Sequence, residues 1–159
     1  MNVIIDLETL GKTPGAALLS LGAYCLETEK TFYVEFELNS CFARRLTVDA
    51  STIVWWFNQG EPAKALFKGK DKKDLSEGLL QFIEWLPKDA NLQVWGDGAC
   101  FDVVLTECAL RACRIEVPWK YTNIKCYRTM KSIYAGIKKT RLGVHHNALD
   151  DAVSNGKHL

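Results

Sequence analysis

The feature that most constrains the fold is a change of hydrophobic period along the chain. Asn2 to Asp6 is a short apolar run, and Ala16 to Glu27 is apolar again except at Ser20 and Gly22, so both read as buried strands. Thr31 to Leu38 alternates Phe32, Val34, Phe36 and Leu38 with Tyr33, Glu35 and Glu37, the period of a half-exposed strand. From Asp49 the spacing turns helical. Ile53, Trp56 and Phe57 share one stripe, with Asp49 or Ser51 as its cap, and Leu75, Leu79, Leu80, Phe82, Ile83 and Leu86 share another that stops at Pro87. Leu92 to Trp95 predicts a fourth strand, Val103 to Ala112 a helix, and Tyr121 to Ile124 a weaker fifth strand. A helix through Met130, Ile133 and Tyr134 follows, and a last one starts near Ala148. The expected order is β-β-β-α-α-β-α-β-α-α. This is an α/β chain with a mixed five-stranded sheet, part meander and part parallel, flanked by helices.

With 159 residues there is room for one layered core, so residues 1–159 are expected to form a single domain. Apolar residues at 48% and charged ones at 25% exclude disorder and fibrous classes. A net charge of +1 excludes a protein that holds nucleic acid by overall charge, but leaves room for local clusters. The six cysteines (25, 41, 100, 108, 113 and 126) form no C-x-x-C pair and read as buried reduced thiols. No apolar run reaches the length of a membrane span, and Met1 leads directly into Val3-Ile4-Ile5 with no charged leader; a cytoplasmic location without membrane attachment is expected. The run Lys68-Gly69-Lys70-Asp71-Lys72-Lys73 reads as an exposed loop.

Three stretches carry acids or a histidine where chemistry can use them. Asp6 and Glu8, two apart at a strand end, point to one face while Leu7 points into the core, and such close carboxylates suit Mg²⁺ or Mn²⁺. Asp102 follows the glycine-rich turn Gly96-Asp97-Gly98 and opens a helix, as a ligand or as an ordinary cap. In His145-His146-Asn147-Ala148-Leu149-Asp150-Asp151, Asn147 suits an N-cap with Asp150 in the capping-box position. Asp151 then faces away from the cap, while His146 precedes the helix on a loop. A histidine there can take a proton from water at neutral pH or can simply pack. Each feature alone has a structural explanation; the combination is what points to catalysis.

Asp6-x-Glu8, Phe101-Asp102 and His146-x-Ala148-x-x-Asp151 resemble, in order and spacing, the three motifs of the DEDDh exonucleases, over nearly the whole chain. Ser51-Thr52-Ile53-Val54-Trp55-Trp56-Phe57-Asn58-Gln59 is similar to the T-x-x-W-W-x-x-Q helix of the small phage-type DexA and Rv2179c-like group. The chain departs from the pattern at Gly98, where many members carry Asn, and it ends eight residues after Asp151. The resemblance implies a ribonuclease H-like fold and two-metal hydrolysis by two divalent ions, Mg²⁺ or Mn²⁺. By that resemblance Asp6, Glu8 and Asp151 hold one ion, Asp6 helps hold the other, Asp102 acts directly or through water, and His146 is the general base, with His145 dispensable. Nucleoside 5′-monophosphates would be released one at a time from a 3′ end.

No acidic residue lies between Trp119 and Leu149, whereas Lys120, Lys125, Arg128, Lys131, Lys138, Lys139 and Arg141 make a basic stretch suited to a phosphate backbone. By resemblance Thr9 and Leu10 contact the terminal sugar and base, and Phe101 flanks them. One of Trp55 and Trp56 is expected in the core and the other on a base, in either order. The expected partner is a single-stranded 3′ end of DNA or RNA, and the oligomeric state is open between a monomer and a homodimer. A silent binding module and a ribonuclease H-type endonuclease are the competing readings.

Overall fold

A computed structural model describes residues 1–159. Three strands, β1 (Asn2–Thr9), β2 (Leu18–Cys25) and β3 (Thr31–Glu35), form an antiparallel meander. Helices α1 (Leu38–Ala43), α2 (Ala50–Phe57) and α3 (Glu61–Lys64) follow, then a 3-10 turn and α4 (Leu75–Trp85). Strand β4 (Gln93–Gly96) pairs parallel with β1, and β5 (Ile124–Cys126) pairs parallel with β4, giving the order β3-β2-β1-β4-β5. Between β4 and β5 runs α5 (Val104–Ala112), and α6 (Tyr127–Ile133) and α7 (Ala148–Gly156) close the chain. The mixed five-stranded sheet flanked by helices is the expected one. The short helices α1 and α3 were not foreseen, because four to six residues are too few to show a period.

The two faces of central strand β1 are unequal. Val3, Ile5 and Leu7 enter the main core with Leu21, Ala23, Leu79, Phe82, Val94 and Leu105. On the other face Ile4 joins the smaller buried cluster of Tyr24, Tyr127 and Ala152, with Leu26, Trp95 and Val153 at its margin, and the next residues on that face are Asp6 and Glu8. Helix α7 covers this thin face. It can do so because Gly22, the cross-strand partner of Asp6, has no side chain; a Cβ there would lie 2.3 Å from the Ala148 backbone.

Cap assignments need correction. Asp49 stands at the N-cap of α2, but its carboxylate accepts the Lys12 amide (2.9 Å) and caps no helix amide; Ser51 is inside the helix. Asp74 is the side-chain cap of α4, accepting from Ser76 N. The cysteines are all unpaired, yet only Cys25 and Cys41 are buried and Cys100 is exposed, since turns and helix flanks leave the others at the core's edge. No helix is long and apolar enough to cross a membrane.

Candidate active site

β1 runs past the end of its pairing with β4 at Ile5 while β2 stays alongside it, so Asp6 and Glu8 sit at its C-terminal end, both buried on the thin face. Asp102 reaches them from a single π-helical turn, Ala99–Val103, that leads into α5. It does not cap α5 in the usual way. Its Oδ1 accepts the Leu7 amide (3.3 Å) and its Oδ2 the Gly98 amide (3.1 Å), so it ties the backbone between Asp6 and Glu8 to the turn after β4. Gly96 permits this approach, because a Cβ at 96 would lie 3.0 Å from that of Asp102.

The fourth acid comes from α7. Asn147 caps that helix, accepting from the Leu149 and Asp150 amides (both 3.1 Å). The capping box is incomplete: Asp150 does not reach back to Asn147 but accepts the Val144 amide (2.6 Å), closing the preceding loop. Asp151, one position on, is buried against the sheet and accepts the His146 amide at Oδ2 (3.2 Å). His146 takes a left-handed backbone conformation (φ 62°), which turns its ring away from the chain direction. The ring lies edge-on to Trp55 at 4.7 Å and stacks on His145 at 3.8 Å.

Ligand atoms of Glu8, His146 and Asp151 all lie within 4.8 Å of one another. Asp6 and Asp102 stand outside that tight trio, with Asp102 adding to the cost of charging Asp6. Burial, then Asp102, Asp151 and Glu8, hold the Asp6 carboxyl well above its ordinary range. Burial and the neighbouring Asp151 and Asp102 push Glu8 up to about 8, and burial pushes Asp102 up to about 7. His146 is shifted the other way, lowered first by burial and then by His145. Three carboxylates driven toward protonation, those of Asp6, Glu8 and Asp102, with Asp151 beside them, are a donor set that a hard divalent cation would stabilise in ionised form. The residues therefore fit the implied metal.

Beside Glu8 opens a cavity of about 380 Å³ lined by Leu7, Glu8, Thr9, Lys12, Ser51, Thr52, Trp55, Trp56 and Phe101. The two tryptophans divide clearly here. Trp56 is 3% exposed and its indole N–H donates to the Thr9 carbonyl (2.9 Å), whereas Trp55 is 41% exposed beside His146. The Thr9 hydroxyl donates to Gly11 O (2.7 Å), and Leu10 is buried against an adjoining apolar cavity with Ile53, Trp56 and Phe57. Sequence reasoning missed Lys12, Ser51 and Thr52; the buried Thr52 hydroxyl has no partner, and its place one turn before Trp56 was the available signal. Arg141, expected to be free for substrate, instead forms an ion pair through Nη2 with Asp151 Oδ1. Its acid-free neighbourhood in sequence hid an acid brought alongside by α7.

The family model of the 3′-5′ exoribonuclease Rv2179c-like domain matches residues 1–159. No curated protein matches the sequence. Among solved structures, cell-death related nuclease 4 (CRN-4) is similar over 99% of this chain with a TM-score of 0.59 and 14% identity. This chain spans 61% of the length of that one. The nuclease domain of 3′hExo, a DEDDh family member bound to rAMP, is similar over 99% of this chain and 88% of its own, with a TM-score of 0.59 and 16% identity. The chain thus belongs to the Rv2179c-like 3′-5′ exoribonuclease domain family.

Proposed function

We propose that this protein hydrolyses single-stranded nucleic acid from its 3′ end, with divalent metal ions, releasing nucleoside 5′-monophosphates. The observation that carries the reading is the convergence of Asp6, Glu8, Asp102 and Asp151 with His146 at the end of β1. Divalent ions held there by Glu8, Asp151 and Asp6 would polarise the attacking water and offset charge on the phosphate. Asp102 fixes the register of the two β1 ligands through the Leu7 amide. His146, kept neutral by its lowered pKa, accepts the water's proton, and its contacts with Trp55 and His145 hold the ring at the mouth of the site.

The cavity next to Glu8 is large enough for one nucleoside, which supports the end of a strand as substrate. Trp55 and Phe101 offer ring faces to its base, and Trp56, locked to Thr9, forms its fixed wall. Arg128, Lys131 and Lys138, which follow the site-side end of β5, are exposed and would supply positive charge to a backbone track. The family description supports RNA as the first substrate class to test. Oligonucleotides of RNA and DNA labelled at the 5′ end, incubated with Mg²⁺ or Mn²⁺, should give a ladder that shortens one nucleotide at a time from the 3′ end. Internal cuts, or full turnover in excess chelator, would sink the proposal.

A further inference from the structure

Asp151 has both oxygens engaged. Oδ2 accepts the His146 amide, and Oδ1 holds the Arg141 guanidinium. Arg141 is the one cation in an ion pair with the carboxylate quartet, and its charge pulls against the upward shift of Glu8. A guanidinium and a divalent cation on the same carboxylate oxygen repel each other, so each weakens the other's hold there. Oδ2 already accepts the His146 amide, so Oδ1 is the oxygen whose only partner is the guanidinium.

We infer that Arg141 and the divalent cation compete for Asp151 Oδ1, so that arrival of the ion frees the guanidinium to take a substrate phosphate oxygen. The inference rests on the metal-dependent reading above, and it adds an order of events: metal first, then a phosphate grip that metal-free protein lacks. The surroundings permit the switch. The Arg141 side chain is 37% exposed, so it can turn out to solvent. Its segment is anchored to α7 independently on both sides: Lys139 bonds Asn155, Leu142 N donates to Ser154 Oγ (2.9 Å), and Val144 N donates to Asp150 (2.6 Å). The guanidinium can leave Asp151 while the segment stays docked. A planar fork of donors then meets a phosphate at the end of the basic stretch.

The test is Mn²⁺ binding to metal-free protein without nucleic acid, read from the free Mn²⁺ paramagnetic resonance signal. Removing the competitor in Arg141→Ala, or in Arg141→Gln should the alanine variant fold poorly, should tighten Mn²⁺ binding about 3- to 10-fold, the scale of a half-exposed ion pair. Lys157→Ala, which removes an exposed charge elsewhere on the chain, should leave it unchanged. With Ca²⁺ in place of Mn²⁺, the Arg141 variants should bind a single-stranded oligonucleotide more weakly, with a salt slope shallower by about 0.7 for the lost phosphate contact. Unchanged or weaker Mn²⁺ affinity in the Arg141 variants overturns the competition, as does equal tightening in Lys157→Ala. Failure of both wild type and Asp151→Asn to bind Mn²⁺ at all would instead overturn the metal-dependent reading itself.

Discussion

The site has two halves built by different means. Asp6, Glu8 and Asp102 belong to the sheet: two project from the central strand, and the third is fixed by backbone amides of β1 and the β4 turn. Arg141, His146 and Asp151 belong to a loop and helix laid over that sheet, held by side-chain bonds from α7 to the segment before it. The sheet half is rigid and resists slippage, because a one-residue register shift would bury both acids in the main core. In the mechanism proposed above, the loop half holds the groups that would move a proton or exchange partners during turnover. The proposed ligands on the sheet and the proposed base on the loop are thus separated along the chain as well as in space.

The comparison breaks first at the acids. Asp6→Asn or Asp151→Asn should lower exonuclease turnover on the order of 1,000-fold or more, since each removes an anionic oxygen where several kcal/mol of charge stabilisation is needed. The fold should persist, with the Asp6→Asn melting temperature equal to or above that of the wild type in chelator because it removes a buried, repelled carboxyl, whereas Asp151→Asn also loses its ion pair with Arg141 and should change little. Turnover at wild-type rates in both variants would remove the metal account.

In the loop half, His146→Ala should lose about 100- to 10,000-fold in rate as a missing general base, while keeping much of the Mn²⁺ binding. His145, stacked on it but exposed, should lose far less when changed to alanine. Rates measured for both variants at saturating Mn²⁺ decide this. The reverse ranking would mean the motif register is wrong by one residue.

Where the halves touch, Gly22→Ala places a Cβ against the Ala148 backbone. Because backbone and not a flexible side-chain end must give way, a loss of about 1–3 kcal/mol of stability is expected, with a loss of activity as Asp151 shifts away from Asp6. Denaturant unfolding checks the first, and a stability within experimental error of the wild type would show that α7 is not seated by Gly22.

The smallest effect concerns pH. Glu8 and Asp102 have raised pKa values in the folded protein, near 8 and 7, so the folded state binds more protons than the unfolded one above the ordinary carboxylate range. Their stabilising contribution is complete below that range and lost as pH rises toward about 8. In chelator, Tm should therefore fall between about pH 4.5 and about pH 8, by roughly 2–4 °C for each kcal/mol lost. Saturating Mn²⁺, which binds the ionised acids, should flatten or reverse the slope. A Tm in chelator that rises across that window would contradict the repulsive character of the site.

Much of this was legible in the sequence because strand period and motif spacing are local signals. The apolar runs of β1 and β2 marked the sheet, and the offset between Asp6 and Glu8 already put both acids on one face. Asn147 marked the start of α7, so Asp151 could be placed one turn inside. What could not be read depended on distant parts of the chain meeting. The Asp102 carboxylate looked like a helix cap because its true partner, the Leu7 amide, lies 95 residues away. Trp55 and Trp56 were interchangeable until Thr9 claimed one indole. Arg141 looked free because its acid is on the next helix, ten residues on, and reaches it only when α7 docks on Gly22.

The central claim, hydrolysis confined to a free 3′ terminus at a metal site, is tested most directly by one pair of substrates. A linear single-stranded RNA and a covalently closed circle of the same sequence are incubated with the protein and Mn²⁺, and released nucleotides are separated and counted. The account predicts nucleoside 5′-monophosphates from the linear strand and none from the circle, with both silent in chelator. Oligonucleotide fragments from the circle would show internal cleavage and contradict it.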